Sequence, residues 1–277
     1  DVYAAGESER LLGAALAARR DEAVIATKAT ARVGAGPNDV GQSRPHLTRA
    51  LEASLRRLGT DHVDLYQLHS FDPLTPLEET LGTLDDMVRQ GKVRYVGCSN
   101  FAAWQLARAL GVSALRGLER FVSLQAHWSL VGRDVEHELL PLVEDERLGL
   151  LVWSPLSNGF LSGKYTRGSA DPDGRFAQLD FLPLDRERGY DVVDVLLEVA
   201  REHDVSGAQV ALAWLLARSA VTSVIVGARR PDQLADNLRA ADLRLSAEEL
   251  ERLDRAGRPE PLYPAWLHAQ NAPGRLP

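Results

Sequence analysis

Six short apolar stretches each finish on residues able to do chemistry. "VIATK" ends at Lys28, "VDLYQLH" at His69, and "KVRYVGCSN" at Ser99 and Asn100. "FVSLQAHW" carries Gln125, "GLLVWSPL" carries Trp153 and Ser154, and "SVIVGAR" brings Gly227 and Arg229. Ammonium, imidazole, carboxamide, hydroxyl and guanidinium groups together can move a proton, polarise a carbonyl and hold an anion. Taken singly, each has a blander reading. A lysine after a strand is usually solvated, a histidine there is usually a satisfied polar residue, and a tryptophan is usually core. Their recurrence at six successive strand ends points instead to one shared pocket.

The elements that would position these residues alternate along the chain. Strands are expected at 23–28, 62–69, 92–100, 121–128, 149–156 and 223–229. Between the first two, Leu47, Leu51, Leu55 and Leu58 recur at helical spacing and Gly59 closes the helix. Thr75 with Glu78 reads as a capping box, with Pro76 in the first helical position and Leu77, Leu81, Leu84 and Val88 as the buried stripe. Further helices are expected near 102–110, 134–146, 190–203 and 207–218, from Pro231, and from Ser246 with Glu249 as a second capping box. A Gly/Asp-rich loop spans 157–185, and a Pro-rich tail (258–277) wraps the surface. Such alternation implies a parallel sheet flanked by helices. An open sheet gathers ligands at two or three strand ends, whereas a closed (β/α)8 barrel brings every strand end onto one ring. Six contributing ends favour the barrel, and with no linker or repeat in sight residues 1–277 read as a single domain.

Composition narrows the class. The chain has 277 residues, 45% of them hydrophobic and 26% charged, with a net charge of −7 and the two signs interspersed. No basic face advertises nucleic acid, and no apolar run or leader pattern suggests a membrane. The single cysteine, Cys98, rules out an internal disulfide framework and suits a reducing, cytoplasmic setting. Several familiar motifs fail. No Gly-x-Gly-x-x-Gly follows a strand, and "GFLSGKY" (159–165) is one residue short of a phosphate loop, with Tyr165 where Ser or Thr belongs. Neither His-Glu-x-x-His, nor paired cysteines, nor a Gly-x-Ser-x-Gly elbow occurs, so no metal site is expected.

Longer stretches resemble the aldo-keto reductase family. They are "YAAGESERLLGAAL" (3–16), "VIATK" (24–28), "SLRRLGTDHVDLYQLHSFD" (54–72), "GKVRYVGCSNF" (91–101), "WSPLSNGFLSGKY" (153–165) and "VIVGARRPDQLADN" (224–237). The likeness runs in order to about residue 256 and is greatest to a bacterial branch that also resembles potassium-channel β-subunits and aryl-alcohol dehydrogenases. It implies a (β/α)8 TIM barrel that binds NADP(H) without a Rossmann domain and reduces an aldehyde or ketone. By motif match the general acid is Tyr3, supported by Lys28 and His69. A phenol is a poor acid at neutral pH, and a neighbouring ammonium favours its conjugate base. The resemblance further assigns Ser99, Asn100 and Gln125 to the nicotinamide carboxamide and Trp153 to its ring. Ser154, Pro155, Leu156, Ser157, Asn158 and Lys164 fall to the pyrophosphate, with a contact from Arg175. Gly227, Arg229, Gln233, Asp236 and Asn237 match the adenosine end. Arg229 at a helix start suits a 2′-phosphate, hence NADPH over NADH.

One departure stands out. The family carries an aspartate five residues before the tyrosine, whereas Tyr3 has two residues ahead of it and Asp1 is at the wrong spacing. The first two barrel strands and their helix are also missing. The expectation is that an N-terminal segment of the working protein is omitted; the alternative is a truncated, catalytically impaired NADP-binding or regulatory homologue. A metal-dependent barrel hydrolase is a third, weaker reading. Exposed sheet edges would favour homo-oligomers. Phe71, Trp104, Trp128, Tyr263 and Trp266 are candidates to line the pocket, suggesting an aromatic or sugar-derived carbonyl compound as the small-molecule substrate.

Overall fold

Four short strands follow one another in the first part of the chain. β1 (Ala26–Ala29), β2 (Val63–Leu68), β3 (Val93–Ser99) and β4 (Ser123–His127) pair in that order, all parallel. The register sets Lys28 beside Gln67 and Ser99 beside Gln125. The computed structural model describes residues 1–169, 176 and 181–272. It divides into two units, Asp1–Gln125 and Ala126–Pro277.

In the first unit, α1 (Glu7–Leu16), α2 (Arg44–Leu58), α3 (Leu77–Arg89) and α4 (Ala103–Arg116) lie between or ahead of the strands. The periodic leucines of α2 are all buried, and Gly59 ends it in the left-handed conformation that its missing Cβ permits. α3 differs from expectation at both ends. Its stripe uses Met87 rather than Val88 as the last buried residue, and Thr75 caps nothing. The Thr75 hydroxyl donates to Asp72 Oδ2 at 2.6 Å, a charged acceptor that outcompetes a backbone partner. A close approach joins α1 to α2. A Cβ on Gly13 would lie 2.2 Å from the Leu58 carbonyl oxygen, so only glycine fits there. β1 pairs with β2 alone among the described residues.

The second unit holds β5 (Gly149–Trp153) and β6 (Val221–Val224), again parallel, with a register shift at Leu150/Leu151. Its helices are α5 (Leu139–Asp145), α6 (Arg186–Glu202), α7 (Gly207–Leu216), α8 (Pro231–Leu238), α9 (Ala247–Gly257) and α10 (Ala265–Asn271). α7 is buried from Gly207 to Leu215 and forms the centre of this unit. The helix expected over 134–146 is instead a 3-10 turn (Asp134–Glu136) followed by α5. Starting at Leu139 places Pro141 in the first turn, where its lacking N–H costs nothing. The last strand begins earlier than expected and stops at Val224, because exposed Gly227, Arg229 and Arg230 gain nothing from a ladder. Ser246 and Glu249 do form the expected capping box.

A buried ionic network fastens the loop after β4 to α9. Arg133 grips Glu136 at 2.6 and 2.9 Å and lies 3.2 Å from Asp254. Trp214 and Arg218 also donate to Asp254, at 3.1 and 2.8 Å. Among the described residues no helix is long and apolar enough to cross a membrane.

Candidate active site

Two strand-end residues, Lys28 and His69, converge with Tyr3 in the first unit. Tyr3 opens a 3-10 turn (Tyr3–Gly6) and is 52% exposed. Its Oη accepts from Lys28 Nζ at 3.2 Å and lies 3.3 Å from His69 Nε2. Lys28 Nζ also sits 4.8 Å from the centre of the Tyr3 ring. The geometry follows from the sheet. The His69 amide donates to Ala29 O at 2.8 Å, carrying the β1–β2 ladder one step past the strands and fixing His69 two register steps beyond Lys28. Burial, and then the adjacent Lys28 ammonium, push the His69 imidazole down to about 4. It is therefore neutral near pH 7, with Nδ1 buried and unpartnered.

Asn100 closes this cluster. Its backbone is left-handed (φ 56°), a conformation asparagine tolerates better than most residues. Its Nδ2 donates to His69 O at 2.9 Å and its amide to Gln125 O at 3.1 Å. Ser99 Oγ donates to the same Gln125 carbonyl at 2.9 Å. Tyr3, Lys28, His69, Ser99, Asn100 and Gln125 are thus tied by direct hydrogen bonds into two linked groups. Lys28 has no carboxylate within ion-pair distance among the described residues, and both carboxylate oxygens of Asp1 are buried without a partner.

The second unit carries the other expected residues. Trp153 is half-buried at the end of β5, with His127 5.0 Å from it and Phe181 stacked nearly parallel at 6.4 Å. The loop that follows has left-handed backbone at Ser154 (φ 51°), Ser157 (φ 48°) and Asn158 (φ 56°). Three such non-glycine residues within five positions make a strained loop of the kind found at ligand clamps. Turns of this type also aim successive amides at one point, as anion sites require. Pro155, Ser157 and Asn158 are buried, Leu156 is half-buried and Lys164 is exposed. At the start of α8 the Arg229 amide donates to Gln233 Oε1 at 3.2 Å. Asp236 accepts from Ser206 Oγ and Gln209 Nε2, both at 2.6 Å, so its carboxylate joins α8 to α7. Gly227 and Arg229 are exposed and Asn237 is half-buried. Arg175 lies outside the described residues.

The suggested pocket aromatics separate into distinct groups. Trp128 is core: it packs on Trp214 and donates to Glu136 at 2.8 Å. Phe71 and Trp104 pack edge-on at 6.0 Å beside the His69 strand end. Tyr263 and Trp266 pack on each other, exposed, near α10. Sequence reasoning missed the residues behind the site. Glu9 accepts from Thr27 and from Arg57, each at 2.5 Å, and so anchors β1 from the side opposite Lys28. Gln42 and Asp72 hold the loops after β1 and β2. Glu9 and Asp72 fall within the quoted stretches but no role was read for them there, and Gln42 lies outside every stretch; their hydrogen-bond partners reveal them.

The aldo/keto reductase family model matches residues 1–258, spanning both units. A probable voltage-gated potassium channel subunit beta of Oryza sativa subsp. japonica is 38% identical over 251 residues, 88% of this chain and 76% of that protein. An uncharacterized oxidoreductase, YrpG, of Bacillus subtilis strain 168 is 38% identical over 258 residues, covering 90% and 77%. An L-glyceraldehyde 3-phosphate reductase of Escherichia coli O157:H7 is 34% identical over 252 residues, covering 88% and 72%. With parallel strands and alternating helices of the kind such a barrel requires, the chain belongs to the aldo/keto reductase family.

Proposed function

We propose that this protein is an oxidoreductase that reduces an aldehyde or ketone to an alcohol, with NADPH as the reductant and Tyr3 as the general acid. The observation that carries the reading is Tyr3 Oη held 3.2 Å from Lys28 Nζ and 3.3 Å from His69 Nε2. Oxidoreductase relatives, among them a versiconal hemiacetal acetate reductase of Aspergillus parasiticus, support carbonyl reduction in general. The chemistry of the donor set suits a nicotinamide dinucleotide. Ser99, Asn100 and Gln125 offer carboxamide partners and Trp153 a flat face. Ser154 to Asn158, Lys164 and Arg175 serve a polyanion, while Gly227, Arg229, Gln233, Asp236 and Asn237 serve the adenosine end.

Bound NADPH supplies the hydride. As hydride adds to the carbonyl carbon, Tyr3 Oη would donate its proton to the substrate oxygen, which becomes the hydroxyl. The Lys28 ammonium stabilises the phenolate left behind. Neutral His69 orients the carbonyl through Nε2 and avoids adding a second cation beside Lys28. Asn100 keeps the His69 carbonyl, and with it the imidazole, in place. Replacing Tyr3 with Phe should lower carbonyl reduction by about 100-fold or more while NADPH affinity stays within about twofold. Steady-state rates and fluorescence titration measure both, and undiminished turnover would remove Tyr3 from the mechanism. A second reading is a cofactor-binding homologue without turnover. NADPH binding with no reduction of any aldehyde would favour it.

A further inference from the structure

A buried amide that takes no part in the chemistry sits directly behind Lys28 and His69. Gln42 is 1% exposed. Its Nε2 donates to Thr30 Oγ1 at 3.2 Å and to Ser70 O at 2.6 Å. Thr30 follows Lys28 by two residues, and Ser70 follows His69 by one. A carboxamide NH2 carries two hydrogens in one plane, which suits it to bridge two acceptors on different loops. The last direct backbone bond between these strands is His69 N to Ala29 O; beyond it, this side-chain bridge continues the connection.

The bridge is itself held rigidly. The Gln42 amide donates to Asp72 Oδ2 at 2.8 Å, and Asp72 also receives the Thr75 hydroxyl and the Leu74 amide, at 2.6 and 2.9 Å. Gly41 N donates to Thr30 O at 2.8 Å, and a Cβ on Gly41 would lie 2.7 Å from Asp72 Oδ2. Thr30 has φ 132°, a strained value that a threonine keeps only where its surroundings over-determine it. Three restraints therefore converge on the two loops that directly follow Lys28 and His69.

We propose that Gln42 is a positioning residue, whose carboxamide locks the ends of β1 and β2 together so that Lys28 Nζ and His69 Nε2 both reach Tyr3 Oη. This rests on the catalytic roles proposed above. Small displacements at such a site are expensive: a shift of about 1 Å lowers rate by roughly 100-fold.

Gln42→Glu tests the bridge while keeping its shape. When ionised, the new carboxylate donates nothing and repels Ser70 O; when protonated, it recovers one donor. Burial and the Asp72 charge both favour the protonated form, and His46, buried nearby on α2, is the other titratable neighbour. At pH 8 the variant should lose about tenfold or more in kcat with KM for NADPH within about twofold. The ratio of variant to wild-type rate should recover as pH falls toward 6, with circular dichroism confirming the fold at each pH. Unchanged kcat, or a loss indifferent to pH, overturns the proposal. A readout independent of turnover is the His69 Cε1–H titration by NMR in Gln42→Met. Loosened strand ends admit water to the imidazole, so its midpoint should rise by about one unit from the wild-type value near 4. An unmoved midpoint overturns the proposal equally. Failure of the wild-type protein to reduce any aldehyde would instead count against the proposed function, and the NMR midpoint would still decide the role of Gln42.

Discussion

The Tyr3 hydroxyl, the proposed general acid, has two partners, Lys28 and His69, and they differ in how they are set. Lys28 is delivered by strand alternation, since Thr27 and Ala29 on either side are buried and the lysine faces the other way. His69 depends on what surrounds it. Burial and Lys28 hold its imidazole at about 4, below the ordinary histidine value near 6.5. Between those two values the unfolded chain binds the proton and the folded chain does not. His69 therefore favours folding fully only above pH ~6.5, and that contribution declines as pH falls toward 4. An NMR titration should find its midpoint near 4, and the rate profile should show no His69 inflection between pH 5 and 8. A midpoint near 6.5 would mean an imidazole far more hydrated than its surroundings indicate.

At the scale of elements, the site stands on joints whose roles local spacing does not show. Glu9 of α1 takes hydrogen bonds from Thr27 of β1 and Arg57 of α2, so one carboxylate locks three elements beneath Lys28. Burial raises its pKa, but the Thr27 and Arg57 bonds outweigh that and leave it below the usual glutamate range. Glu9→Gln should cost about 2–3 kcal/mol in urea unfolding at pH 7, as loss of charge-assisted hydrogen bonds does. Because the folded carboxyl is the stronger acid, this stabilisation is present above pH ~4.3 and vanishes as pH falls through the folded value. The gap between wild type and variant should narrow at pH 3.5. A gap that persists there would assign the effect to packing. The same scale explains the misread elements. Thr75 looked like a helix cap because its spacing to Glu78 was right, yet Asp72 lies closer and is charged. The helix over 134–146 is interrupted because Glu136 is drawn to Arg133 and Trp128, and Pro141 suits a first turn better than an interior.

For the molecule as a whole, cofactor binding should appear as stability. A ligand at a hundredfold its Kd adds about 2.7 kcal/mol, which raises Tm by roughly 5 °C or more for a chain of this size. NADPH should give that shift in calorimetry, and NADH less. Arg229→Ala should remove the difference if the proposed 2′-phosphate contact at the start of α8 holds; equal losses for both cofactors would refute that role. The sequence by itself determined the strand–helix rhythm, the family, and the identities at the strand ends. Those depend on local periodicity and on motifs that stay intact whatever they pack against. The strand-end positions of Lys28, His69 and Asn100 were legible in this way, whereas Ser154 to Leu156, expected to end a strand, lie past β5, which stops at Trp153. Only the tertiary structure decided that Trp128 belongs to the core, that Asp236 joins two helices, and that Glu9, Gln42 and Asp72 tie β1 and the loops after β1 and β2. Each of those roles depends on which partner lies within hydrogen-bonding or packing distance across tens of residues of chain, a quantity that no local spacing encodes.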